Sequence, residues 1–207
     1  MSFTMNLPSK SLHQPGTSGF SLIEVLVSIV ILMIGLLGLA GLQSRAFTAQ
    51  LESYQRSQAL ILAQDMASRI EANRKNAAAY ITANPAAGGV GVDAVVPCPG
   101  GTVAEQDLCD WHNSLLGSAE VSMAGAMIGA RGCVIQEIAP ALGAAGVYQV
   151  VVSWQGLNST FAPNVINPAS PGNCGFGLYL DRNGAPNEAL HRAIAIPVSV
   201  ADLTAAP

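Results

Sequence analysis

The four cysteines of this chain could form disulfides, remain free thiols or bind a metal ion. Cys98, Cys109, Cys133 and Cys174 all follow the long apolar segment of this chain of 207 residues, and no two of them form a Cys-x-x-Cys pair. An even number of cysteines after a long apolar segment is typical of an oxidising compartment, where two disulfides form. Of the three pairings that four cysteines allow, we expect Cys98–Cys109, a short local loop, and Cys133–Cys174.

Two other cysteine chemistries stay open from the sequence. Four unpaired thiols would fit a cytosolic protein. Zinc could use Cys109 and His112, which are three positions apart, but no second closely spaced ligand pair accompanies them. We therefore expect no metal site.

Catalytic patterns are absent from the sequence. The histidines, His13, His112 and His191, are dispersed, and no Ser/His/Asp order, carboxylate pair or phosphate-binding loop occurs. Asp107 and Asp110 flank Cys109 and read as the solvated first turn of a helix. Lys and Arg form no basic stripe, so nucleic-acid binding is not expected. We predict a protein that is not an enzyme and that has no cofactor.

Glu24 stands out because it is the only strongly polar residue in the apolar run 20–42. A spanning helix needs about 20 residues, whereas a secretory signal has an apolar core of about 7–15 and a cleavage site after it. We therefore predict a retained membrane helix. A carboxylate inside it costs about 2.5–3.5 kcal/mol unless it is protonated or reaches water or a cation. No Lys or Arg lies within 20–42, so a cation must come from another chain or from a new amino terminus.

The orientation of this helix is weakly encoded by charge. Lys10 precedes the apolar run and Arg45 follows it, so the positive-inside rule gives almost a tie. The cysteines favour a C-terminal part outside the cytoplasm.

A helix of about 55–60 residues is expected to carry this segment, because no proline occurs between Pro15 and Pro85. Residues 43–76 are good helix formers, with acid–base pairs four apart at Glu52/Arg56, Asp65/Arg69 and Glu71/Lys75. A slowly rotating apolar stripe follows the helix and consists of Phe47, Leu51, Tyr54, Leu62, Met66 and Ile70. Three glycines, at 35, 38 and 41, either allow close helix packing or weaken the helix locally.

The C-terminal part predicts a small α+β head. Asn84-Pro85 ends the helix, and residues 105–117 read as a short amphipathic helix packed by Trp111. Core packing is also the expected role of Trp154. Strands are predicted at 132–138, 147–154 and 191–200, the last with Pro197 at an edge or a bulge.

Residues Gly19-Phe20-Ser21-Leu22-Ile23-Glu24-Val25 resemble the processing motif of type IV prepilins and related pseudopilins. The resemblance implies that a prepilin peptidase cuts between Gly19 and Phe20 and that the new Phe20 amine is methylated. Glu24 would then pair with the Phe20 ammonium of a neighbouring subunit during assembly. The leader departs from the short basic leaders of the family, because it has 19 residues with one lysine; Met5 is an alternative start.

The resemblance implies the type IV pilin fold: an α+β protein whose long N-terminal helix, half transmembrane and half amphipathic, packs on a small antiparallel sheet. The expected segments are a cleaved leader (1–19), a transmembrane assembly helix (20–42), its amphipathic continuation (43–83) and a globular head (84–207). Residues 34–43 and 65–77, with the helix–strand–strand order of the head, are similar to minor pilins of the pilus-modification (PilV) type.

For function, the resemblance implies a non-enzymatic minor pilin that helps to start pilus assembly and enters the filament, near its tip. Its partners would be other minor pilins and the major pilin through the N-terminal helix, the prepilin peptidase, the inner-membrane assembly platform and a tip adhesin. It would be an inner-membrane protein with a periplasmic head before assembly and a part of the surface filament afterwards.

Two alternatives predict different behaviour. A minor pseudopilin of a type II secretion system would be processed in the same way but would serve transport. A single-span periplasmic ligand-binding protein or enzyme would keep its N-terminus uncleaved and would be indifferent to Glu24.

Overall fold

The computed structural model describes residues 19–82, 85, 88–98, 100–117, 127–141, 144–167 and 169–201. The predicted leader therefore lies outside the described residues, except for Gly19. The chain forms two compact units, one ending at Ala46 and the other beginning at Phe47. The elements are α1 (Leu22–Ala72), a 3₁₀ helix (Arg74–Tyr80), α2 (Val103–Leu115), β1 (Arg131–Ile138), β2 (Gly146–Gln155), two 3₁₀ turns (Pro171–Asn173 and Glu188–Leu190) and β3 (His191–Val200).

The first unit contains the N-terminal part of α1. Every described residue from 19 to 46 is exposed, although nearly all of their side chains are apolar. The helix runs without a break through Gly35, Gly38 and Gly41, around which the space is open. Among the described helices, α1 is the one long and apolar enough to cross a membrane.

The α-helix ends at Ala72, before the predicted end at residue 83. Asn73 leaves helical geometry, with φ −111° and ψ 39°, and a 3₁₀ helix carries the chain on to Tyr80. This tighter segment turns Ala77 and Tyr80 into the core, where both are buried. Residue 83 itself lies outside the described residues. Burial of these two side chains overrides the helix propensity that the sequence shows.

The second unit contains a three-stranded antiparallel sheet in the order β1-β2-β3. All three strands begin and end within one residue or so of the sequence prediction, and Pro197 lies on an edge strand, as expected. One face of the sheet packs against α1 and α2 around Val134, Val150 and Val152, which are fully buried.

The predicted apolar stripe of α1 is buried only in its second half. Phe47, Leu51 and Tyr54 are exposed, whereas Met66 and Ile70 are fully buried. The buried side of the helix consists mainly of alanines and of residues near its C-terminal end: Gln55, Ala59, Ala63, Met66, Ala67 and Ile70. Short side chains allow a helix backbone to approach a sheet closely, so packing selected the alanine face and left the larger side chains outside.

Helix α2 begins at Val103, two residues before the prediction, because Thr102 and Glu105 form a reciprocal capping box. Trp111 is fully buried, as predicted, and its Nε1 donates a hydrogen bond of 2.9 Å to the Leu62 carbonyl. Its ring lies over Gly132 of β1, where an added Cβ would approach within 2.5 Å. Trp111 therefore joins α1, α2 and the sheet.

The other face of the sheet is covered by the long loop after β2. Cys133, Ile135, Val151 and Cys174 form a small buried cluster with three alanines at its border. The Cys133–Cys174 disulfide fixes the loop on β1.

Candidate assembly segment and the contacts of the head

The candidate assembly segment is the start of the described chain. Gly19 and Phe20 precede α1 and are exposed. Glu24 lies in the first turn of α1, with its backbone N–H bonded to the Ser21 carbonyl at 3.0 Å. The Ser28 hydroxyl donates to the Glu24 carbonyl at 2.7 Å, so this serine satisfies its own hydroxyl within the helix.

This arrangement presents one carboxylate on an otherwise apolar, exposed helix surface. The first turn of a helix carries free N–H groups, which favour a negative charge there. That local effect does not replace water around a carboxylate in hydrocarbon. Glu24 can therefore act as an acceptor for a cation that arrives with a second chain.

The disulfides occupy the positions that we expected. Cys98 is bonded to Cys109 and Cys133 to Cys174, with Cα–Cα distances of 5.7 and 5.9 Å. Cys109 consequently has no thiolate to offer zinc. His112 instead accepts a hydrogen bond from the Gly91 amide at Nδ1, and its Nε2 lies 3.0 Å from the Ala94 carbonyl. Within the part of the chain that the structure describes, His, Cys, Asp and Glu form no group that could hold a metal ion.

A polar cluster between α1 and α2 was missed by the sequence reading. Arg69 contacts Asp65 at 3.0 Å and Asp107 at 2.9 Å, with Asp110 at 3.7 Å. Asp107 also accepts a hydrogen bond of 2.5 Å from the Tyr80 hydroxyl. The prediction that Asp107 and Asp110 are merely solvated is therefore wrong, because they hold α2 against the end of α1.

The pKa values of Tyr80 and Arg69 reflect this clustering. Burial, with the hydrogen bond to Asp107, raises the pKa of Tyr80 to about 12. Burial disfavours the charge of Arg69, but the hydrogen bond to Asp107 and the charge of Asp65 outweigh it and raise the pKa of the guanidinium. The spacing of Asp65 and Arg69 in the sequence indicated that these two residues could form an ion pair. The contact of Arg69 with Asp107 became visible only in the tertiary structure.

A second polar cluster lies beneath the long loop. His191 is fully buried, and its Nδ1 is 2.7 Å from a carboxylate oxygen of Glu188. The other oxygen of Glu188 accepts the Gly177 amide at 2.7 Å. The ring of His191 lies 4.7 Å, centroid to centroid, from that of Tyr179, whose hydroxyl donates to Ser153 at 2.8 Å. Burial lowers the pKa of His191, and the hydrogen bond with Glu188 opposes this only in part.

The predicted Glu52/Arg56 ion pair does not form. The Glu52 carboxylate accepts the Asn158 amide at 3.1 Å and lies 3.9 Å from the guanidinium of Arg192 on β3. Arg56 remains exposed and makes no hydrogen bond or ion pair with any residue that the structure describes. Glu71 and Lys75 are also unpaired with each other, since Lys75 lies beyond the end of α1.

The fold belongs to the α+β class, with a head that follows a helix long and apolar enough in its first part to cross a membrane. Two family comparisons specify it. Residues 15–40 match the prokaryotic N-terminal methylation motif, and residues 41–107 match the type IV pilin Tt1218-like family. The two matches together cover residues 15–107, and the long helix with its antiparallel sheet is consistent with the type IV pilin fold. Neither a curated protein nor a solved structure matches the chain.

Proposed function

We propose that this pilin subunit is a minor pilin, which is cut between Gly19 and Phe20, methylated at the Phe20 amine, and assembled into a filament through α1. The observation that carries the proposal is the methylation motif at residues 15–40, which coincides with the exposed apolar part of α1, where Glu24 is the single acid. The subunit has a structural and not an enzymatic role. Its place is near the filament tip, where it helps to start assembly.

Glu24 supplies the registration step. Cleavage creates a positively charged amine at Phe20, and in hydrocarbon this amine and the Glu24 carboxylate of a neighbour neutralise each other. The cost of an unpaired carboxylate, about 2.5–3.5 kcal/mol, disfavours any register that leaves the pair apart. Apolar side chains alone would slide past one another with little preference.

The partners follow from this scheme. The prepilin peptidase acts first, at the membrane. The other minor pilins and the major pilin then contact α1, the inner-membrane assembly platform moves the subunit, and a tip adhesin binds near the head. Before assembly the head lies in the periplasm, where the two disulfides form, and afterwards it lies on the cell surface.

N-terminal mass spectrometry of the membrane-extracted protein tests the processing step. We expect a methylated Phe20 as the first residue. Gly19→Val should block cleavage without affecting the fold, because no described atom lies within 4 Å of a Cβ at this position. Gly35→Ala is the matched control, since its surroundings are equally open, and it should be processed normally. An intact Met1, or cleavage near Ala40, would contradict the proposal.

Quantification tests whether the role is minor. In filaments sheared from cells, targeted mass spectrometry should find this chain at a small fraction of the major subunit, and deletion of its gene should reduce filament number. If this chain is instead the most abundant subunit, it is a major pilin. If it never leaves the membrane while secretion fails without it, the pseudopilin role applies.

A further inference from the structure

The outer edge of β3 is open. In an antiparallel ladder, residues that bond to one neighbour alternate with residues whose backbone groups point the other way. Val134 of β1 exchanges hydrogen bonds with Thr82, on the side away from β2. Its partner Val150 therefore bonds towards β3, where it is paired with Ile196. Ile196 therefore bonds to β2, and the residues that alternate with it point the other way. The backbone groups that point outwards are those of Ala193, Ala195, Pro197 and Ser199.

The position of Pro197 agrees with this register. Proline has no N–H, so an outward position on an edge strand loses no hydrogen bond within the sheet. Pro197 also divides the edge, because it removes a donor that a further strand would need. The half that begins at Arg192 retains the outward N–H and C=O groups of Ala193 and Ala195. No described residue bonds to these groups.

A pocket of about 360 Å³ adjoins this half of the edge. It lies between α1 and β3 and is lined by Glu52, Ser53, Arg56, Trp154, Arg192, Ala193 and Ile194. The two arginines of the pocket differ in whether their guanidinium groups are free to bind a ligand. Arg192 already donates to the Ala189 and Asn158 carbonyls and lies near Glu52. Arg56 has no partner among the described residues, so the pocket has a net positive charge and one guanidinium free for a ligand.

We propose that β3, along Arg192–Ile196, is a docking edge for an extended segment of another protein that carries an acidic side chain. The segment adds a fourth strand by bonding to the outward groups of Ala193 and Ala195. Side chains of an added strand alternate between the two faces of the sheet, so one of them enters the pocket. A carboxylate there reaches Arg56, which makes the side-chain choice specific.

Charge distinguishes this partner from a second copy of the chain. Residues 191–196 read His-Arg-Ala-Ile-Ala-Ile and contain no acid. Pairing two β3 edges would therefore place no carboxylate from this segment of one copy in the pocket of the other. The docking edge is distinct from the N-terminal assembly segment, so the inference does not rest on the proposed function.

The test uses the full chain in detergent micelles and two synthetic peptides. Both have about nine residues of alternating Thr and Val, with a central Glu in one and a central Lys in the other. We expect the Glu peptide to bind at least about fivefold more tightly. Amide exchange at Ala193 and Ala195 should slow when it binds, whereas Ser199, beyond Pro197, should be little affected.

Three variants separate the contributions. Arg56→Ala should remove the preference for the Glu peptide, with Arg45→Ala as a control arginine on the same helix. Ala195→Pro should weaken both peptides, because it removes an outward donor. Near-ultraviolet circular dichroism shows whether Ala195→Pro still folds. If it does not, Pro197→Ala is the deciding variant, because it adds an outward N–H donor and should therefore tighten the binding of both peptides.

Several results would overturn the proposal. They are no binding of the Glu peptide up to about 1 mM, equal affinities for the two peptides, or protection confined to amides outside β3. Self-association of the chain without peptide, strengthened by Pro197→Ala, would assign the edge to a second copy and would also overturn it.

Discussion

The Tyr80 hydroxyl donates a hydrogen bond of 2.5 Å to Asp107, and this contact joins the 3₁₀ helix after α1 to the middle of α2. Asp107 simultaneously accepts a hydrogen bond from Arg69 near the end of α1. One carboxylate thus connects three successive elements of the region that the pilin family match covers.

Removing the Tyr80 hydroxyl should destabilise the head. Tyr80→Phe loses a hydrogen bond to a charged group and leaves one oxygen of Asp107 without its donor, which should cost about 1.5–3 kcal/mol of unfolding free energy. Thermal unfolding followed by near-ultraviolet circular dichroism measures this loss. Tyr148→Phe is the matched control, because Tyr148 is equally buried but its hydroxyl has only a 3.4 Å contact with Gln136. Equal losses for the two variants would contradict the assigned role of Asp107.

The two disulfides should differ in their contribution. Cys133–Cys174 closes a separation of 41 residues and Cys98–Cys109 one of 11. In the chain-entropy account these loops correspond to about 4 and about 3 kcal/mol. The double variant Cys133→Ala/Cys174→Ala should therefore unfold at a lower temperature than Cys98→Ala/Cys109→Ala. Burial adds to the difference, since Cys133 and Cys174 are fully buried. The reverse order of the two midpoints would refute this ranking.

Stability should fall on acidification because of His191. Burial holds the pKa of His191 in the folded state below the ordinary value of 6.5. Below that pH the unfolded chain therefore binds a proton more readily than the folded chain does. The stabilisation is complete above pH 6.5 and is lost as the pH falls through the folded-state pKa. The charged groups that face the ring are Glu188, which favours protonation, and Arg192, which opposes it.

Unfolding midpoints measured from about pH 8 to about pH 5 would reveal this loss. His191→Gln should flatten the acid side of the profile, whereas His112→Gln, which removes the other described histidine, should preserve it. An unchanged acid slope in His191→Gln would assign the pH dependence to other groups.

Glu24→Ala should leave membrane insertion intact and reduce recruitment into filaments by about tenfold or more, because the proposed pair with a neighbour's Phe20 amine should be worth at least about 2 kcal/mol in hydrocarbon. The measurement is the amount of this chain in sheared filaments relative to the membrane pool. Ser28→Ala is the control: it also removes a polar group from the span, but one that is bonded within its own helix. Normal incorporation of Glu24→Ala would show that the acid has no part in assembly.

The sequence alone determined the local elements and the assembly motif. These signals are local: the apolar run at 20–42, the motif at 19–25, and the alternating strand segments with their glycine and proline boundaries are each read from one continuous stretch of sequence. Strand positions and the edge position of Pro197 followed from such patterns, whereas the cysteine pairing was one of three that the sequence allowed.

Only the tertiary structure decided which face of α1 is buried, where that helix ends, and which charges pair. Side-chain size favoured Leu51 and Tyr54 for the core, but close packing on a sheet required Ala59 and Ala63 instead. Glu52 has Arg56 four residues away and nevertheless bonds to Asn158, because an exposed helix pair contributes only about 0.2–0.5 kcal/mol. Such weak local preferences yield to contacts between residues distant in the chain, which the sequence order does not reveal.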